Sequence, residues 1–252
     1  MEILFGLWIL NEAERIKEGN YLENTKNTYL RKQMTILRIK YLNVQQGIDL
    51  AEVIGLFEKE NIGYEPVACL NWKEYPYFPE VVFRMAYSSA EMFLQFQVKE
   101  KYIRATCQPG DENCKPWEDS CVEFFISSGN EGEYYNFEFN CIGYCHIGKG
   151  KERAGRNRFS QEESSVVRVW SSLGNRPFGE RTGYFEWMLM ATIPFSIFGI
   201  GSSVFIESNN VKGNFYKCGD KLTEPHFLSW NPIDTKEPDF HRPEYFGEIH
   251  FL

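Results

Sequence analysis

The sequence predicts an all-β protein, an antiparallel β-sandwich of the jelly-roll or immunoglobulin-like type with short helical segments. Short runs of alternating apolar and polar residues recur along the chain, and turn-forming residues separate them. Aromatic residues make up 16% of the 252 residues, a composition that favours strands. Few segments place apolar residues at helical spacing, so the pattern indicates sheets packed face to face rather than alternating strands and helices.

Length and composition indicate one large domain over residues 37–252, behind an N-terminal extension over residues 1–36. The extension, which we expect to be helical in part, begins with an apolar run at residues 3–10 that is too short to span a bilayer. Glu2 precedes this run where a signal peptide would carry a base. We interpret the run as a surface that packs on the domain or mediates self-association, with Met34 as an alternative start.

Charge and cysteine usage argue against several function classes. The formal net charge of −8 disfavours a nucleic-acid backbone or an anionic membrane as the main partner. Seven cysteines without a Cys-x-x-Cys pair, and four scattered histidines, favour a reduced chain without a metal site. A disulfide between Cys107 and Cys114, which flank a short loop, stays an alternative. The lack of a clear signal peptide favours the cytoplasm, with a secreted or periplasmic location as the alternative.

Local patterns define most of the remaining elements. Asp49 followed by Glu52 resembles a capping box ahead of apolar residues at helical spacing, which predicts a short helix that ends before Gly63. The basic run at residues 148–159 lacks the P-loop spacing, so we interpret it as a solvated loop, with a phosphate-binding patch as the alternative. The strands predicted from alternation are residues 36–44, 65–72, 81–87, 92–98, 165–173 and 184–193, with a final strand from Gly247.

A hairpin over residues 116–143 is the most informative stretch. Its strands alternate, and the link SSGNEGE between them is rich in turn residues. One face is apolar, and the other carries Glu123, Asn136, Glu138 and Asn140, joined by Trp117 and Asp119 if the strand begins early. An aromatic ring beside carboxylates and amides suits a polyhydroxylated ligand. A hairpin with one solvated face is the alternative interpretation.

Four stretches together resemble family 9 carbohydrate-binding modules. They are, in chain order, VFRMAYSSAEMFLQFQVKE, PWEDSCVEFFIS, YYNFEFNCIG, and LSWNPI followed by DFHRPEYFGEI. The similarity covers about residues 37–252 and is greatest to free-standing family-9-like proteins of bacteria that degrade polysaccharides. The resemblance implies a β-sandwich that grips the end of a sugar chain between two aromatic rings without cleaving it.

The resemblance also implies which side chains contact the sugar. Trp117 matches the first ring, and Phe240 stands where xylanase-attached members carry a tryptophan, so the second ring is smaller here. Glu123 matches the acid after the first ring, whereas Glu138 stands where a basic residue is expected. The predicted ligand-binding set is Trp117, Asp119, Glu123, Glu138, Asn140, Trp230, Asn231, Phe240 and Arg242.

Two alternatives remain open from the sequence. Glu123 and Glu138 could face each other about 5 Å apart on adjacent strands, the separation that retaining glycoside hydrolases use. Many modules of the family are fused to xylanases, so a hydrolase of the xylan- or cellulose-degrading type is the rival hypothesis. Family members can also carry structural calcium, and because no clear calcium loop is found, no cofactor is assigned.

Overall fold

The all-β prediction is confirmed in a computed structural model, which describes residues 35–107, 111, 113–127, 132–208 and 210–252. One compact unit spans Met34–Leu252. The predictions for the N-terminal extension concern residues outside the described part of the chain. They are the apolar run at residues 3–10, the helix expected in the extension and the self-association. In the described part of the chain, each helix is too short or too polar to cross a bilayer.

Fourteen strands and three helices make up the described fold. The strands are β1 (Ile36–Tyr41), β2 (Glu65–Pro66), β3 (Cys69–Leu70), β4 (Glu80–Tyr87), β5 (Glu91–Ala105), β6 (Cys121–Ser127), β7 (Tyr134–Asn140), β8 (Cys145–Gly150), β9 (Asn157–Arg158), β10 (Arg168–Ser171), β11 (Phe178–Pro194), β12 (Lys212–Cys218), β13 (Phe227–Ser229) and β14 (Gly247–Phe251). The helices are α1 (Leu50–Lys59), α2 (Gln161–Ser164) and α3 (Ser202–Ile206), and single 3-10 turns cover Pro116–Glu118, Phe195–Phe198 and Pro243–Tyr245.

The strands form one curled sheet in the order β10-β11-β5-β4-β1-β14-β12-β6-β7-β8-β9, with β13 beside β12 and β3, and β2 beside β4. The described pairs are antiparallel, except that β1 runs parallel to both β4 and β14. The connection from β1 to β4 contains α1, as expected because parallel neighbours need a long crossover. Strand β1 therefore joins two antiparallel halves of the sheet.

Stacked phenylalanines show that the two halves enclose one apolar core. The ring of Phe83 on β4 lies parallel to the ring of Phe215 on β12, with 3.6 Å between their centroids. Phe215 also stacks on Phe124 of β6 at 4.6 Å. All three side chains are fully buried. Such close contact between rings of opposite halves supplies the dispersion and apolar burial that stabilise a sandwich.

Several element boundaries differ from the sequence prediction for identifiable reasons. Residues 65–72, predicted as one strand, form the two-residue strands β2 and β3, because the chain changes partner between them: β2 pairs with β4 and β3 pairs with β13. The predicted basic loop at residues 148–159 contains the end of β8 and all of β9, which pair with each other. Helix α1 is confirmed, with Asp49 accepting a hydrogen bond from the amide of Ala51 at 2.8 Å.

A buried ion pair links the two halves across the interior. Lys217 Nζ on β12 lies 2.9 Å from Glu100 Oε2 on β5, and both side chains are fully inaccessible to solvent. The ammonium also donates to the carbonyl of Cys218 and to Nε2 of His226, each at 2.9 Å. Trp187 Nε1 donates to the other carboxylate oxygen of Glu100 at 2.7 Å. Because both charges are surrounded by partners, their burial is tolerated.

His226 must be neutral to take its place in this network. Burial, and then the charge of Lys217, lowers the pKa of His226 well below its usual value. With Nε2 accepting from Lys217, the Nδ1–H donates to the carbonyl of Glu224 at 3.0 Å, which fixes the tautomer.

Removing one member of this buried ion pair should lower the free energy of unfolding far more than removing an exposed ion pair. Lys217→Met leaves the Glu100 carboxylate buried without its cation, so we expect the free energy of unfolding to fall by about 3–5 kcal/mol. Urea denaturation followed by tryptophan fluorescence measures the change.

The matched control is Lys221→Met, which removes an ion pair with Glu118 whose lysine is 58% exposed. We expect this control to cost less than about 1 kcal/mol. The double variant Lys217→Met/Glu100→Gln should recover part of the loss, because no unpaired charge remains. A cost for Lys217→Met no larger than that of the control would contradict this description of the interior.

Candidate functional site

The hairpin of β6 and β7 supplies the floor of a cleft. Its register places Glu123 directly opposite Glu138, as the alternation predicted. Val122 and Phe124 point into the main core, so the intervening Glu123 points to the opposite face of the sheet. That face is not freely solvated, because Glu123 and Glu138 are 3% and 4% exposed.

A second apolar cluster covers much of this face and leaves a cleft of about 380 Å³ beside it. Its buried members include Phe125 of β6, Tyr134 of β7, Tyr216 of β12 and two aromatic residues from distant loops, Trp72 and Phe240. Trp117, Glu123, Glu138 and Phe240 all line the cleft. The structure therefore brings together four of the nine residues predicted from the sequence.

Trp117 forms one wall of the cleft and is held in place by its backbone. It lies in the 3-10 turn that Pro116 opens, where a fixed proline φ is favourable. The Trp117 carbonyl accepts a hydrogen bond from the amide of Asp220 at 2.9 Å. Its ring is half-buried and meets the ring of His146 edge-on at 5.9 Å between centroids. Part of an aromatic surface thus stays open to the cleft.

Asp119 and Asn140, both predicted to bind ligand, lie outside the cleft and support the Trp117 turn. The Asp119 carboxylate is fully buried and accepts hydrogen bonds from the amide and hydroxyl of Thr106, both at 2.8 Å, and from the amide of Cys107. It also accepts from Asn140 Nδ2 at 3.0 Å and pairs with Arg104 at 3.3 Å. The polar atoms of both side chains form hydrogen bonds within the protein, so we assign Asp119 and Asn140 a structural role and not a ligand-binding one.

Cys107 and Cys114 form a disulfide in the structure. The sequence favoured a reduced chain and left this pair as an alternative, so that expectation was wrong for these two cysteines. The bond joins Cys107, which follows the end of β5, to the segment that leads into Pro116 and Trp117. It therefore closes the loop immediately before the tryptophan wall.

The two glutamates on the floor have different partners. Glu123 Oε1 lies 3.1 Å from the thiol of Cys218, which donates to it. Glu138 Oε1 accepts from Asn136 Nδ2 at 2.8 Å, whereas Glu138 Oε2 is buried without a hydrogen-bond partner in the described part of the chain. Burial raises the pKa of both carboxyls, and the charge of Glu138 raises that of Glu123 further. The floor thus offers an acceptor that the protein leaves unused.

Two histidines beside the glutamates are neutral. His146 faces Glu138 across the β7–β8 ladder, and burial together with the nearby charges of Arg158 and Arg156 lowers its pKa to about 4. Burial and Arg156 likewise lower the pKa of His241 to about 3. The Nδ1 atom of His146 is buried and lacks a hydrogen-bond partner among the described residues.

The basic run at residues 148–159, interpreted as a solvated loop, forms another wall. Arg156 is held by Asn136 Oδ1 at 2.9 Å and by the carbonyl of Tyr134 at 2.9 Å. Gly148 approaches this contact so closely that a Cβ there would lie 2.7 Å from Asn136 Oδ1. Arg153 and Arg158 are exposed at the rim, so cationic donors border the acidic floor.

Phe240 lines the cleft but is largely covered by protein. It is 9% exposed, and its ring stacks on Tyr216 with 4.2 Å between centroids and 10° between planes. Phe227, which is half-buried, also lines the cleft and meets Phe240 at 6.1 Å. Only part of Phe240 can therefore contact a ligand, and Phe227 extends the apolar wall.

Trp230, Asn231 and Arg242, also predicted to bind ligand, do not line the cleft. Trp230 is buried in the main core, where its ring meets Phe215 edge-on. Asn231 is buried and donates to the carbonyl of Tyr245 at 2.6 Å. Arg242 pairs with Glu244 at the surface. The structure thus places these three outside the lining of the cleft.

Sequence reasoning missed His146, Asp220, Phe227 and His241, which also line the cleft. His241 directly follows Phe240 in a stretch that carries the family resemblance, so that signal was present. His146 gave no local signal, because β8 was not predicted and its register with Glu138 was unknown. The Asp220 residue is exposed to solvent in the cleft. The protein packed around its carboxyl group nevertheless removes part of the surrounding water, which raises its pKa to about 6.

Three potential metal ligands lie close together beside the floor of the cleft. In the part of the chain that the structure describes, the one group of three candidate ligands close enough to hold an ion is Cys121, Glu123 and Cys218. Two sulfurs do not suit calcium, which prefers an all-oxygen shell, so this group does not account for the structural calcium considered from the sequence.

Comparison with known proteins gives a consistent classification. The model of carbohydrate-binding family 9 matches residues 51–251. Among solved structures, a candidate carbohydrate-binding protein from Bacteroides uniformis ATCC 8492 is 42% identical with a TM-score of 0.81, covering 87% of this chain and 100% of that chain. No curated protein matches the chain.

A family 9 carbohydrate-binding module from Caldicellulosiruptor kristjanssonii, solved in complex with glucose, has a TM-score of 0.50 at 9% identity. The match covers 86% of this chain and 96% of that chain, and at this identity it shows a shared fold alone. The family match over four-fifths of the chain confirms the resemblance seen in the sequence: this protein belongs to carbohydrate-binding family 9.

Proposed function

We propose that the cleft beside Trp117 binds a mono- or oligosaccharide, with a chain end as the favoured ligand, and does not cleave it. The observation that carries the proposal is the position of a half-open tryptophan next to a buried carboxylate oxygen without a partner among the described residues. Membership in a carbohydrate-binding family, and the sugar-bound state of a structural neighbour, support it.

Trp117 would provide the main apolar contact. A sugar ring has one C–H face, which gains dispersion energy and loses water when it lies against an indole. Because the turn that carries Trp117 is anchored through Asp119 and Asp220, little side-chain freedom remains to be lost on binding. Phe240 and Phe227 would then form a second, smaller apolar wall, in place of the full second ring implied by the family resemblance.

Glu138 and His146 would provide the inner polar contacts. Each has a buried atom without a hydrogen-bond partner among the described residues, and sugar hydroxyls both donate and accept. Satisfying a buried acceptor is favourable because an unsatisfied one costs about 1–3 kcal/mol. Arg153, Arg158 and Asp220 would contact outer hydroxyls at the rim, whereas Glu123 contacts Cys218 and has a supporting role.

Glycoside hydrolysis is the second candidate, and the pairing of Glu123 with Glu138 is the observation in its favour. Retaining hydrolysis needs one carboxylate that can reach the anomeric carbon and a second carboxyl that protonates the leaving group. Glu123 is nearly inaccessible and in contact with the Cys218 thiol. A binding site for intact sugar is therefore the better interpretation of this pair.

The tryptophan contact can be tested by calorimetric titration with glucose, xylose, cellobiose and xylobiose. We expect at least one of these sugars to bind and Trp117→Ala to weaken that binding by about 30-fold or more, because truncating a central aromatic contact typically costs about 2 kcal/mol. The control is Trp170→Ala, on β10 and 41% exposed outside the cleft, which should bind as the wild type does. Equal loss in both variants, or no binding by any folded protein, would refute the proposal.

The polar contact can be tested with Glu138→Gln, which keeps the side-chain volume. Above the Glu138 pKa, which burial raises to about 7, loss of this charged acceptor should weaken binding of the same sugar by about 10- to 100-fold, since a hydrogen bond to a charged group contributes about 1.5–3 kcal/mol. Glu152→Gln, at an exposed position on the basic run, is the control and should leave the affinity unchanged. Unchanged affinity in Glu138→Gln would remove Glu138 from the site.

The hydrolase alternative has its own measurement. Purified protein incubated with xylo- and cello-oligosaccharides should leave them intact when the mixtures are separated by chromatography. Release of shorter sugars by the wild type, abolished in Glu123→Gln, would instead establish a hydrolase and overturn the non-catalytic assignment.

A further inference from the structure

Three potential metal ligands converge on the floor of the cleft. The register between β6 and β12 places Cys121 opposite Cys218, and Glu123 lies two residues along β6 on the same face. Glu123 Oε1 is 3.1 Å from Cys218 Sγ and 3.9 Å from Cys121 Sγ. All three ligand atoms lie within 4.8 Å of one another, and all three residues are buried.

We propose that Cys121, Glu123 and Cys218 bind a thiophilic divalent cation of the zinc type. Tetrahedral zinc takes sulfur at about 2.3 Å and carboxylate oxygen at about 2.0–2.2 Å, which puts neighbouring ligand atoms roughly 3.5–3.8 Å apart. The two observed sulfur–oxygen separations bracket this range. Side-chain shifts of a few tenths of an ångström would therefore bring these two sulfur–oxygen separations into the range.

The donor set favours this cation over others. Two thiols and one carboxyl are ligands that suit zinc, whereas magnesium and calcium select oxygen. A buried carboxyl normally has strong donors, but the donors recorded for Glu123 Oε1 are two thiols, and thiols are weak donors. A cation would replace these weak bonds with metal–ligand bonds, and binding would release the thiol protons.

The position of the group also allows an ion to enter. Cys218 and Glu123 line the cleft, so the cleft is the side from which an ion would reach these three buried ligands. Glu138, the register partner of Glu123, has a buried oxygen without a partner in the described residues. That oxygen is available to accept from a metal-bound water. The inference does not depend on sugar binding.

Sequence spacing could not reveal this group. Cys218 lies far along the chain from Cys121 and Glu123, and the pairing of β6 with β12 alone brings them together. Zinc sites are instead predicted from sequence by short Cys-x-x-Cys pairs, and this chain lacks such a pair. The expectation of a chain without a metal site therefore rested on spacing alone.

Cobalt provides the first test, on the full chain freed of metals, with the Cys107–Cys114 disulfide intact and the other five cysteines reduced. We expect Co²⁺ to give thiolate-to-cobalt charge-transfer absorption in the near ultraviolet, saturating at one equivalent. The band should be lost in Cys121→Ser and in Cys218→Ser. Cys141→Ser, which alters a fully buried thiol elsewhere in the fold, is the matched control and should retain the band.

No charge-transfer band with the reduced wild type, or a band that persists in both serine variants, would overturn the proposal. So would mass spectrometry showing that Cys121 and Cys218 are joined in a disulfide in the purified protein and therefore cannot bind a metal. If the serine variants do not fold, X-ray absorption of the zinc-loaded wild type decides. Two sulfurs at about 2.3 Å support the site, and a shell of only nitrogen and oxygen excludes it.

Discussion

The pairing of β6 with its two neighbours is the constraint on which the rest of the site depends. Its register with β7 sets Glu123 beside Glu138, and its register with β12 sets Cys121 beside Cys218. Because side chains alternate along a strand, a slip of one residue would exchange Phe124 with Glu123 and send a carboxyl into the main core. The stack of Phe124 on Phe215 therefore fixes the chemistry of the opposite face.

That dependence explains why part of the site was predictable. Alternation along the hairpin is a local property, so the all-β class and the shared face of Glu123 and Glu138 followed from the sequence, whereas their direct pairing was one open alternative. Asn140 was assigned to the face that carries Glu123, and Asp119 was placed there only if the strand began early, whereas β6 begins at Cys121. Parity does not reveal which polar groups bond to each other. Their mutual hydrogen bond and the bonds from Thr106 depend on a loop brought in from β5.

The remaining features depend on contacts between residues far apart in the chain. Phe240 was identified through the family resemblance, yet its stack on Tyr216, which limits its exposure, could not be inferred from either residue alone. The arginines of the basic run were interpreted as solvated because pattern does not reveal that β8 folds back beside β7 and β9 beside β8. The N-terminal extension, its self-association and the cellular location remain predictions.

The most direct test of the central claim is a crystal structure of the protein grown with a saturating concentration of cellobiose. The account predicts a sugar ring stacked on Trp117, with hydroxyls within hydrogen-bonding distance of Glu138 Oε2 and His146 Nδ1. A sugar bound elsewhere on the sheet, with Trp117 and Glu138 uncontacted, would contradict it and would return this face of the hairpin to a purely structural role.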